Sequence, residues 1–514
     1  MQTVLRLIGR GMIVRIEGRD DFREAAEGES LLDVLKRWGV SVDAPCGGHG
    51  RCGKCRVRVL SGTFTGESSP ALTPPDSEKG WVRACAVYPA SDLLLALPRR
   101  ETLSASAFPG PGGRKILRAG FAMDIGTTTL CVRLLDLDTG ENVDTFSALN
   151  DQRIYGADVM SRIGAAREGK TGELFNRINT QASGMISLLI KKWNPEKTEQ
   201  LAAAGNTAML HLFVNADPSA MGAAPFRPAF LEARTFPGSG LSLPVETVKL
   251  LPSISAFVGA DITAGIGATG MTEGDKTSLL VDIGTNGEMA LFHRGKLFCC
   301  SAAAGPAFEG AGISRGTGGI AGAINRVRKQ DGKIVVSVIG GEGGAETAPL
   351  GICGSGLVDA VALMLEEGLV DETGAFTDED AESFPLAEGI ALTRADIRQF
   401  QLAKSAILSG IKILCKTAGL APSAVERVYV AGGLGFHIGM DSAVRTGLLP
   451  SCFRDRTSVC GNTSLEGASR CLRDAGFFSR CADIAAMGGT VELAADPSFM
   501  DEFTENMLFP AEDG

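Results

Sequence analysis

Two stretches of the chain share one pattern of apolar and polar positions. Residues 121–136 read FAMDIGTTTLCVRLLD, and residues 278–293 read SLLVDIGTNGEMALFH. Each stretch has an apolar segment, an Asp-Ile-Gly-Thr turn and a second apolar segment, which predicts a β-hairpin. Because the pattern occurs twice, we predict a duplicated fold with halves at about 119–275 and 276–514.

The first hundred residues carry a different pattern. Residues 30–40 have helical apolar spacing, residues 56–60 alternate as a strand does, and SDLLLALPRR at 91–100 predicts a closing strand. The segment that follows, ETLSASAFPGPGGRK, is rich in Ser, Pro and Gly. These patterns predict a small domain at 1–100 and a flexible linker at 101–118.

Further elements are predicted in the larger body. RVYVA at 427–431 predicts a strand that runs into a glycine-rich loop, residues 258–268 and 464–472 predict helices rich in small residues, and residues 399–412 predict a longer helix. Glycine lacks a Cβ atom, so a flat ring or a phosphate can approach the backbone closely. The glycines of this loop are Gly432, Gly433 and Gly435.

Composition and charge limit the classes of function. The net charge of −10 and the lack of a dense Lys/Arg run argue against nucleic-acid binding and favour protein or small-molecule partners. Arginines interrupt the apolar N-terminal residues 1–18, so we expect neither a signal peptide nor a membrane span, and a cytoplasmic protein. In such a chain, thirteen cysteines indicate metal ligation or buried thiols rather than disulfides.

Four of these cysteines have the spacing of iron–sulfur ligands. Cys46, Cys52 and Cys55 lie on one Gly-rich loop, APCGGHGRCGKC, and 29 residues separate the third from Cys85. The spacing C-x5-C-x2-C is one residue longer in its first gap than the plant-type ferredoxin pattern, so the set predicts a [2Fe-2S] cluster. A four-cysteine zinc site and inert thiols are the alternatives.

The tips of the two predicted hairpins combine backbone N–H groups with hydroxyl groups, which suits phosphate oxygens. Asp124 and Asp282 leave their strands toward these tips and are candidate Mg²⁺ ligands, directly or through water. Turn chemistry alone would explain one such tip, but the duplication favours two hairpins that grip one triphosphate. The candidate phosphate-binding residues are Gly126, Thr127, Thr128, Thr129, Gly284, Thr285, Asn286 and Gly287.

Both parts of the chain resemble known folds. The cysteine loop, between a predicted helix and a predicted strand, resembles the β-grasp ferredoxins. The two hairpins, the glycine loop and the two small-residue helices resemble, in the right order, the phosphate, adenosine and connect motifs of the actin, Hsp70 and sugar-kinase (ASKHA) superfamily. The fold class implied is α/β and α+β: an N-terminal β-grasp [2Fe-2S] ferredoxin-like domain, then a duplicated actin-like ATPase fold.

The ASKHA resemblance implies further site residues. It assigns the adenosine moiety to the loop of Gly432, Gly433 and Gly435. Asp261 opens the first connect helix, where this superfamily often keeps a carboxylate that orients the group attacking the γ-phosphate; a helix N-cap is the alternative. Lys404, on the helix predicted at 399–412, is a candidate nucleotide contact, with a solvated surface lysine as the alternative.

The combined architecture resembles the reductive activators of corrinoid-dependent enzymes. Several stretches carry this resemblance: DVMSRI at 158–163, AGNTAMLHLF at 204–213, APFRP at 224–228, SAAAGPAFEGAGISRG at 301–316 and GICGSGL at 351–357. It implies an ATP-hydrolysing electron-transfer enzyme that reduces a Co(II) corrinoid protein to Co(I) for methyl transfer. The implied cofactors are a [2Fe-2S] cluster, ATP and Mg²⁺.

The same resemblance implies the partners and leaves alternatives open. The partners are the corrinoid protein of a methyltransferase system and an electron donor such as a ferredoxin, a flavodoxin or a reductase, with a homodimer as a further assembly. Because the linker leads directly into the first hairpin, we expect no separate middle domain. The alternatives are a small-molecule kinase with a redox-sensing ferredoxin domain, an activator of 2-hydroxyacyl-CoA dehydratases and a non-enzymatic scaffold.

Overall fold

The computed structural model describes residues 11–40, 42, 48, 55–66, 80–98, 115–340, 348–433 and 438–510. The predicted linker lies outside the described residues up to position 114. Its last residues belong to the larger body instead, because Ile116 is fully buried and a strand begins at Arg118. Among the described residues, none of the helices combines the length and the apolar character that crossing a bilayer requires.

The N-terminal domain packs a helix against a mixed β-sheet. Its elements are β1 (Met12–Ile16), β2 (Phe22–Ala25), α1 (Leu31–Arg37), β3 (Arg56–Ser61), β4 (Phe64–Thr65), β5 (Trp81–Arg83), β6 (Tyr88–Pro89) and β7 (Leu93–Ala96). The sheet order is β2-β1-β7-β3-β5, with β1 and β7 parallel. The hydroxyl of Ser30 accepts from the backbone N–H of Asp33 and caps α1. The helix then buries Leu31, Leu32, Val34 and Leu35 in the core of this domain.

The first half of the larger body is an α/β layer built on the first predicted hairpin. Its elements are β8 (Arg118–Ile125), β9 (Thr129–Asp136), β10 (Asn142–Leu149), α2 (Val159–Ala165), α3 (Thr171–Trp193), β11 (Lys197–Gly205), α4 (Thr207–Phe213), β12 (Arg234–Pro237), β13 (Thr247–Leu250) and α5 (Ala260–Thr269). The sheet order is β10-β9-β8-β11-β13-β12. β8, β9 and β10 are antiparallel neighbours, whereas β11 is parallel to β8 and β13 to β11.

The second half repeats this topology. Its elements are β14 (Ser278–Ile283), β15 (Gly287–His293), β16 (Lys296–Ala302), β17 (Ala323–Gln330), β18 (Lys333–Val338), β19 (Gly351–Ile352), α6 (Gly354–Glu366), β20 (Ser383–Ala387), β21 (Ile390–Thr393), α7 (Arg394–Thr417), β22 (Arg427–Ala431), α8 (Met440–Arg445), β23 (Thr457–Gly461), α9 (Thr463–Arg473), α10 (Phe477–Met487), β24 (Gly488–Thr490) and α11 (Phe499–Glu505). The sheet order β23-β22-β14-β15-β16-β24 again joins an antiparallel β14-β15-β16 meander to parallel strands. The predicted duplication is confirmed.

Two connecting helices, α5 and α9, join the halves. α9 belongs to the second half in sequence, yet its residues Leu465 and Ala468 lie in the core of the first half. Ile262 and Ile266 of α5, which ends the first half, share a core with Leu280 of β14. Each connecting helix is therefore held by the sheet of the other half, so a shift of one half is transmitted to the other.

The two helices cross at glycine. A Cβ atom added at Gly467 would lie 2.4 Å from the carbonyl oxygen of Ala264, and one added at Gly265 would lie 2.8 Å from the Thr463 hydroxyl. Neither position has room for a methyl group, because such contacts lie inside the van der Waals separation. The small residues of α5 and α9 therefore allow the two helices to cross closely.

We expect Gly467→Ala to lower the free energy of unfolding by about 1–3 kcal/mol, because the methyl group forces α5 and α9 apart. Gly184→Ala is the matched control, since a Cβ atom at this exposed position of α3 meets nothing within 4 Å. The control should be neutral or stabilising by up to ~1 kcal/mol. Chemical denaturation followed by circular dichroism measures both, and equal stabilities of the two variants would contradict the tight crossing.

Candidate functional site

The two hairpin tips face one cleft between the halves. A cavity of 510 Å³ is lined by the tips, the first turns of α5 and α9, and the end of β22. Most of the predicted site residues meet here. The predicted residues that line the cavity are Asp124, Gly126, Thr127, Thr128, Thr129, Asp261, Asp282, Gly284, Thr285, Asn286, Gly432 and Gly433.

Among the predicted nucleotide-binding residues that the structure describes, two do not line this cavity. Gly435 lies outside the described residues. Gly287 begins β15 and faces the other way, because a Cβ atom there would lie 2.9 Å from Ile407 of α7. The expected nucleotide contact of Lys404 is wrong: its buried ammonium group donates to the carbonyl of Leu508 and lies 5.0 Å from the centre of the Phe509 ring. Lys404 anchors the C-terminal segment, and this burial lowers its pKa to about 7.

The tip of the first hairpin is held in place by hydrogen bonds to its carbonyl groups. Asn150 donates from its side chain to the carbonyl of Gly126 at 2.9 Å and from its backbone to that of Thr128 at 2.8 Å. The fully buried guanidinium of Arg162 donates to the carbonyl of Thr127 at 2.5 Å. With three consecutive carbonyls bonded, the conformation of the tip is set before any ligand arrives.

Asp124 connects the first hairpin to the second half of the body. Its two carboxylate oxygens accept hydrogen bonds from the Asn462 amide and the Ser464 hydroxyl, both at 2.7 Å. Asn462 caps α9 and Ser464 lies in its first turn. A movement of α9 would therefore change the hydrogen bonds of Asp124, a predicted magnesium ligand.

Five of the carboxyl groups that line this cleft have raised pKa values. Burial, and then the charges of Asp261, Asp124 and Glu309, together raise the pKa of Asp282 to about 8. Burial, followed by the charges of Asp261 and Asp282, raises the pKa of Glu288 well above its ordinary value. Burial is also the main cause of the raised pKa values of Asp124, Asp261 and Glu309.

The carboxyl cluster has the chemistry of a site for a hard divalent cation. Mg²⁺ prefers carboxylate oxygens and keeps several waters, and a cation among these groups would remove the repulsion that raises their pKa values. Asp124 and Asp282 occupy equivalent positions at the ends of β8 and β14, one on each side of the cleft. Within the described residues, no three acidic, His or Cys side chains lie close enough together to hold a metal ion by themselves. A magnesium ion here would therefore take one or two of these carboxylates and complete its shell with water and phosphate oxygens.

Asp261 lies in the first turn of α5, but it does not cap the helix. Gly259 is the N-cap residue, so the alternative interpretation of Asp261 as the cap is wrong. One oxygen of the Asp261 carboxylate accepts from the N–H of Ile262 at 2.9 Å, and the side chain lines the cavity. The position of Asp261 on the cavity wall is compatible with the predicted role of orienting the group that attacks the γ-phosphate.

Two of the four predicted cluster ligands lie within the described residues. The Cys55 and Cys85 sulfur atoms are 3.3 Å apart, one buried and the other half-buried, and the backbone N–H of Ala84 donates to the carbonyl of Cys55 at 2.8 Å. Cys46 and Cys52 lie outside the described residues. Two thiols at this separation, at the edge of the core of a small domain, fit ligands that share one metal cluster.

A second, more apolar cavity opens beside the first. It has a volume of 390 Å³ and shares Asn286 with the cleft that the two hairpin tips face. Phe226 and Phe257 of the first half line one side, and Ser301 and Leu493 of the second half line the other. Because both halves contribute to its wall, its shape depends on how closely the halves approach each other.

Several residues that shape the site could not be recognised from local sequence patterns. Arg162 and Glu309 lie in stretches quoted for the family resemblance, and Ser464 lies in the predicted second connect helix, but nothing in the local patterns assigned them a role. Asn150 and Asn462 carry no motif at all. These side chains act by contacts with parts of the chain that are distant in sequence, which a local pattern does not show.

Comparisons with known proteins agree with this architecture. The model of the 2Fe-2S iron-sulfur cluster binding domain matches residues 14–90, the RACo middle region matches residues 119–274, and the C-terminal domain of RACo, the ASKHA domain, matches residues 276–514. The fold and the site thus define an iron–sulfur protein with an actin-like ATPase body. The predicted fold class is confirmed.

Relatives along most of the chain identify the family. The corrinoid activation enzyme RamQ of Eubacterium limosum is 34% identical over 422 residues, which cover 76% of this chain and 70% of the relative. A [Co(II) methylated amine-specific corrinoid protein] reductase of Methanosarcina barkeri is 29% identical over 383 residues, 67% of this chain and 68% of that protein. The chain belongs to the family of reductive activators of corrinoid-dependent enzymes, as its sequence motifs predicted.

A solved structure supports the same conclusion. The reductive activator for corrinoid,iron-sulfur protein matches with a TM-score of 0.71 and 28% identity, covering 97% of this chain and 98% of that one. The RACo middle-region model matches residues 119–274, directly after the predicted linker, so the expectation of no separate middle domain stays a prediction. This region is the first half of the duplicated body.

The carboxyl cluster predicts a pH dependence of stability. The folded, magnesium-free protein favours protonated Asp282, whose pKa is raised to about 8. The stability that this group contributes is complete below its unfolded pKa of about 4 and is lost as the pH rises through about 8. In EDTA, the Tm of Asp282→Asn should therefore exceed that of the wild type by about 2 °C or more at pH 8.5, and the two should approach each other near pH 5.

Thermal unfolding at both pH values measures this difference. Asp455→Asn, which changes an exposed aspartate outside the cleft, is the matched control and should follow the wild type at both pH values. If the Tm values of Asp282→Asn and the wild type agree at pH 8.5, or differ by as much at pH 5 as at pH 8.5, folding does not raise the pKa of Asp282.

Proposed function

We propose that this protein is an ATP-dependent reductive activator, which passes one electron from its iron–sulfur domain to the Co(II) corrinoid of a partner protein. The product is the Co(I) state that methyl transfer requires. The observation that carries the proposal is one chain with both parts: an iron–sulfur domain, and a body whose two halves bring phosphate hairpins and five carboxyl groups to one cleft. An electron carrier alone needs no such cleft.

The residues of the cleft have distinct roles in this proposal. Asp124 and Asp282 hold Mg²⁺ directly or through water, one from each half. The two hairpin tips bind the phosphates with backbone N–H groups and threonine hydroxyls. Gly432 and Gly433, directly after β22, leave room for the adenosine. Gly435, which lies outside the described residues, is proposed to belong to the same adenosine loop.

Asp261 is proposed to orient the water that attacks the γ-phosphate. Its carboxylate lies at the first turn of α5 on the wall of the cleft. Burial and the neighbouring charge of Asp124 raise its pKa, which suits a group that must accept a proton near neutral pH. Since α5 is also one of the two crossing helices, hydrolysis at Asp261 acts on the joint between the halves.

The N-terminal domain is proposed to hold a [2Fe-2S] cluster through Cys46, Cys52, Cys55 and Cys85. When bound, such a cluster supplies one-electron oxidation and reduction. Arg56 and Arg58 lie on β3, directly after the cysteine loop. Arg51 and Lys54 precede them in the sequence and lie outside the described residues. These four basic residues are proposed to recognise an acidic electron donor, such as a ferredoxin or a flavodoxin.

The energetic problem explains the presence of an ATPase. Moving one electron uphill by 100 mV requires about 2.3 kcal/mol, and one ligand coupling of ordinary size supplies about 1–3 kcal/mol. A difference of several hundred millivolts therefore needs more than one effect. Binding of the Co(II) partner supplies one, and ATP binding and hydrolysis, through closure of the halves about α5 and α9, supply another.

The experiment compares two cysteine variants in one anaerobic assay. We expect Cys52→Ser to abolish the formation of Co(I) from a Co(II) corrinoid protein while ATP binding, measured by calorimetry, stays within about twofold of the wild type. Cys452→Ser changes a half-buried thiol outside the ligand set and is the matched control, expected to retain both activities. Full corrinoid reduction by Cys52→Ser would sink the proposed electron path.

A further inference from the structure

A single carboxylate links the tips of the two phosphate hairpins. One oxygen of Glu309 accepts a hydrogen bond from the Thr128 hydroxyl at 2.7 Å and another from the Thr285 hydroxyl at 2.6 Å. The two hydroxyl oxygens are 3.1 Å apart. Thr128 belongs to the hairpin of the first half and Thr285 to that of the second, so this contact spans the cleft where the triphosphate is proposed to bind.

The segment that presents Glu309 has a constrained backbone. Glu309 ends a short 3₁₀ turn, Pro306–Glu309, between Gly305 at φ +77° and Gly310 at φ +82°. A Cβ atom at Gly310 would lie 2.3 Å from the backbone nitrogen of Thr317. This backbone requires glycine at both ends of the turn. The Cα atom of Glu309 is therefore held at a fixed position beside the hairpins.

The Glu309 carboxylate resembles a bound phosphate in its contacts. It is an anion whose oxygen takes two hydroxyl donors, one from each hairpin, as an oxygen of a gripped phosphate would. A carboxylate and a phosphate at the same place repel each other, and each hydroxyl has only one proton to donate. The Glu309 carboxylate and a phosphate oxygen therefore compete for Thr128 and Thr285.

We propose that Glu309 is a latch that the nucleotide displaces: without nucleotide it holds the two hairpins together, and ATP must move its carboxylate aside to reach Thr128 and Thr285. The inference rests on the proposed nucleotide site. It adds a positioning residue, which acts through the two threonines, and it explains how the cleft keeps a defined shape before ATP binds.

The surroundings indicate which side of the latch moves. The first hairpin is fixed by the bonds of Asn150 and Arg162 to its three tip carbonyls. A glutamate side chain, in contrast, has rotatable bonds and leaves the site without a change of backbone. The Glu309 side chain is therefore the part that swings, while the first hairpin stays in place to receive the phosphates.

The segment that carries Glu309 also connects to two regions outside the cleft. The chain after Glu309 reaches Ser314, whose N–H and hydroxyl both donate to Asp396 at the start of α7, at 2.7 and 3.1 Å. The chain before it reaches Ser301 and Ala303, which line the apolar cavity between the halves. One short segment thus connects the nucleotide site to both of these regions.

The test is the affinity for MgATP, measured by calorimetry on the full chain. Glu309→Gln keeps an acceptor oxygen but loses the charge, and Glu309→Ala removes the acceptor. If nucleotide binding must displace the latch, both variants should bind MgATP more tightly than the wild type, by about tenfold for a coupling of ordinary size. Glu273→Gln, an exposed glutamate outside the cleft, is the matched control and should bind like the wild type.

The direction of the change separates the outcomes. A gain in affinity is not produced by a damaged fold, so it supports the latch. Unchanged or weaker binding in both variants overturns it, and weaker binding would identify Glu309 as a ligand of the nucleotide or its metal. If the wild type and both variants fail to bind MgATP, the proposed function itself fails and the latch with it; a wild type that binds ATP while the variants show no gain refutes the latch alone.

Discussion

Burial of five carboxyl groups in one cleft is the constraint on which the rest of this structure depends. Asp124, Asp261, Asp282, Glu288 and Glu309 are gathered from both halves, and burial raises the pKa of each. Neighbouring carboxylate charges raise the pKa values of Asp261, Asp282 and Glu288 further. Such a cluster is unfavourable unless protons, hydrogen-bond donors or a cation offset it. The cleft is therefore arranged for a ligand that supplies a cation or hydrogen-bond donors, and in the proposed function this cation is the Mg²⁺ that accompanies ATP.

The fold connects this cleft to the rest of the molecule through α5 and α9. Each helix contributes a side chain to the cleft or to its aspartates, each packs on the sheet of the opposite half, and the two cross where no methyl group fits. In the proposed function, a change in charge at the aspartates acts on these helices and, through them, on the approach of the halves. The apolar cavity between the halves senses that approach, because both halves form its wall.

Much of this architecture could be predicted from the sequence, because its main signals are local. The hairpins at Asp124 and Asp282 repeat a strand–turn–strand pattern, and the cysteine loop has its own spacing. The rest depends on contacts between distant positions: Asn462 with Asp124, Arg162 with Thr127, and Glu309 with both threonines. Lys404 shows the same limit, since its helix was predicted but the C-terminal segment that covers it was not.

The central claim is that nucleotide at the carboxyl cleft controls electron transfer to cobalt. The most direct measurement mixes the reduced protein anaerobically with a Co(II) corrinoid protein, with and without MgATP, and follows the Co(I) absorbance band over several turnovers. The account predicts sustained formation of Co(I) only when MgATP is present. Formation of Co(I) at the same rate and yield without nucleotide, or its absence when MgATP is supplied, would contradict the account.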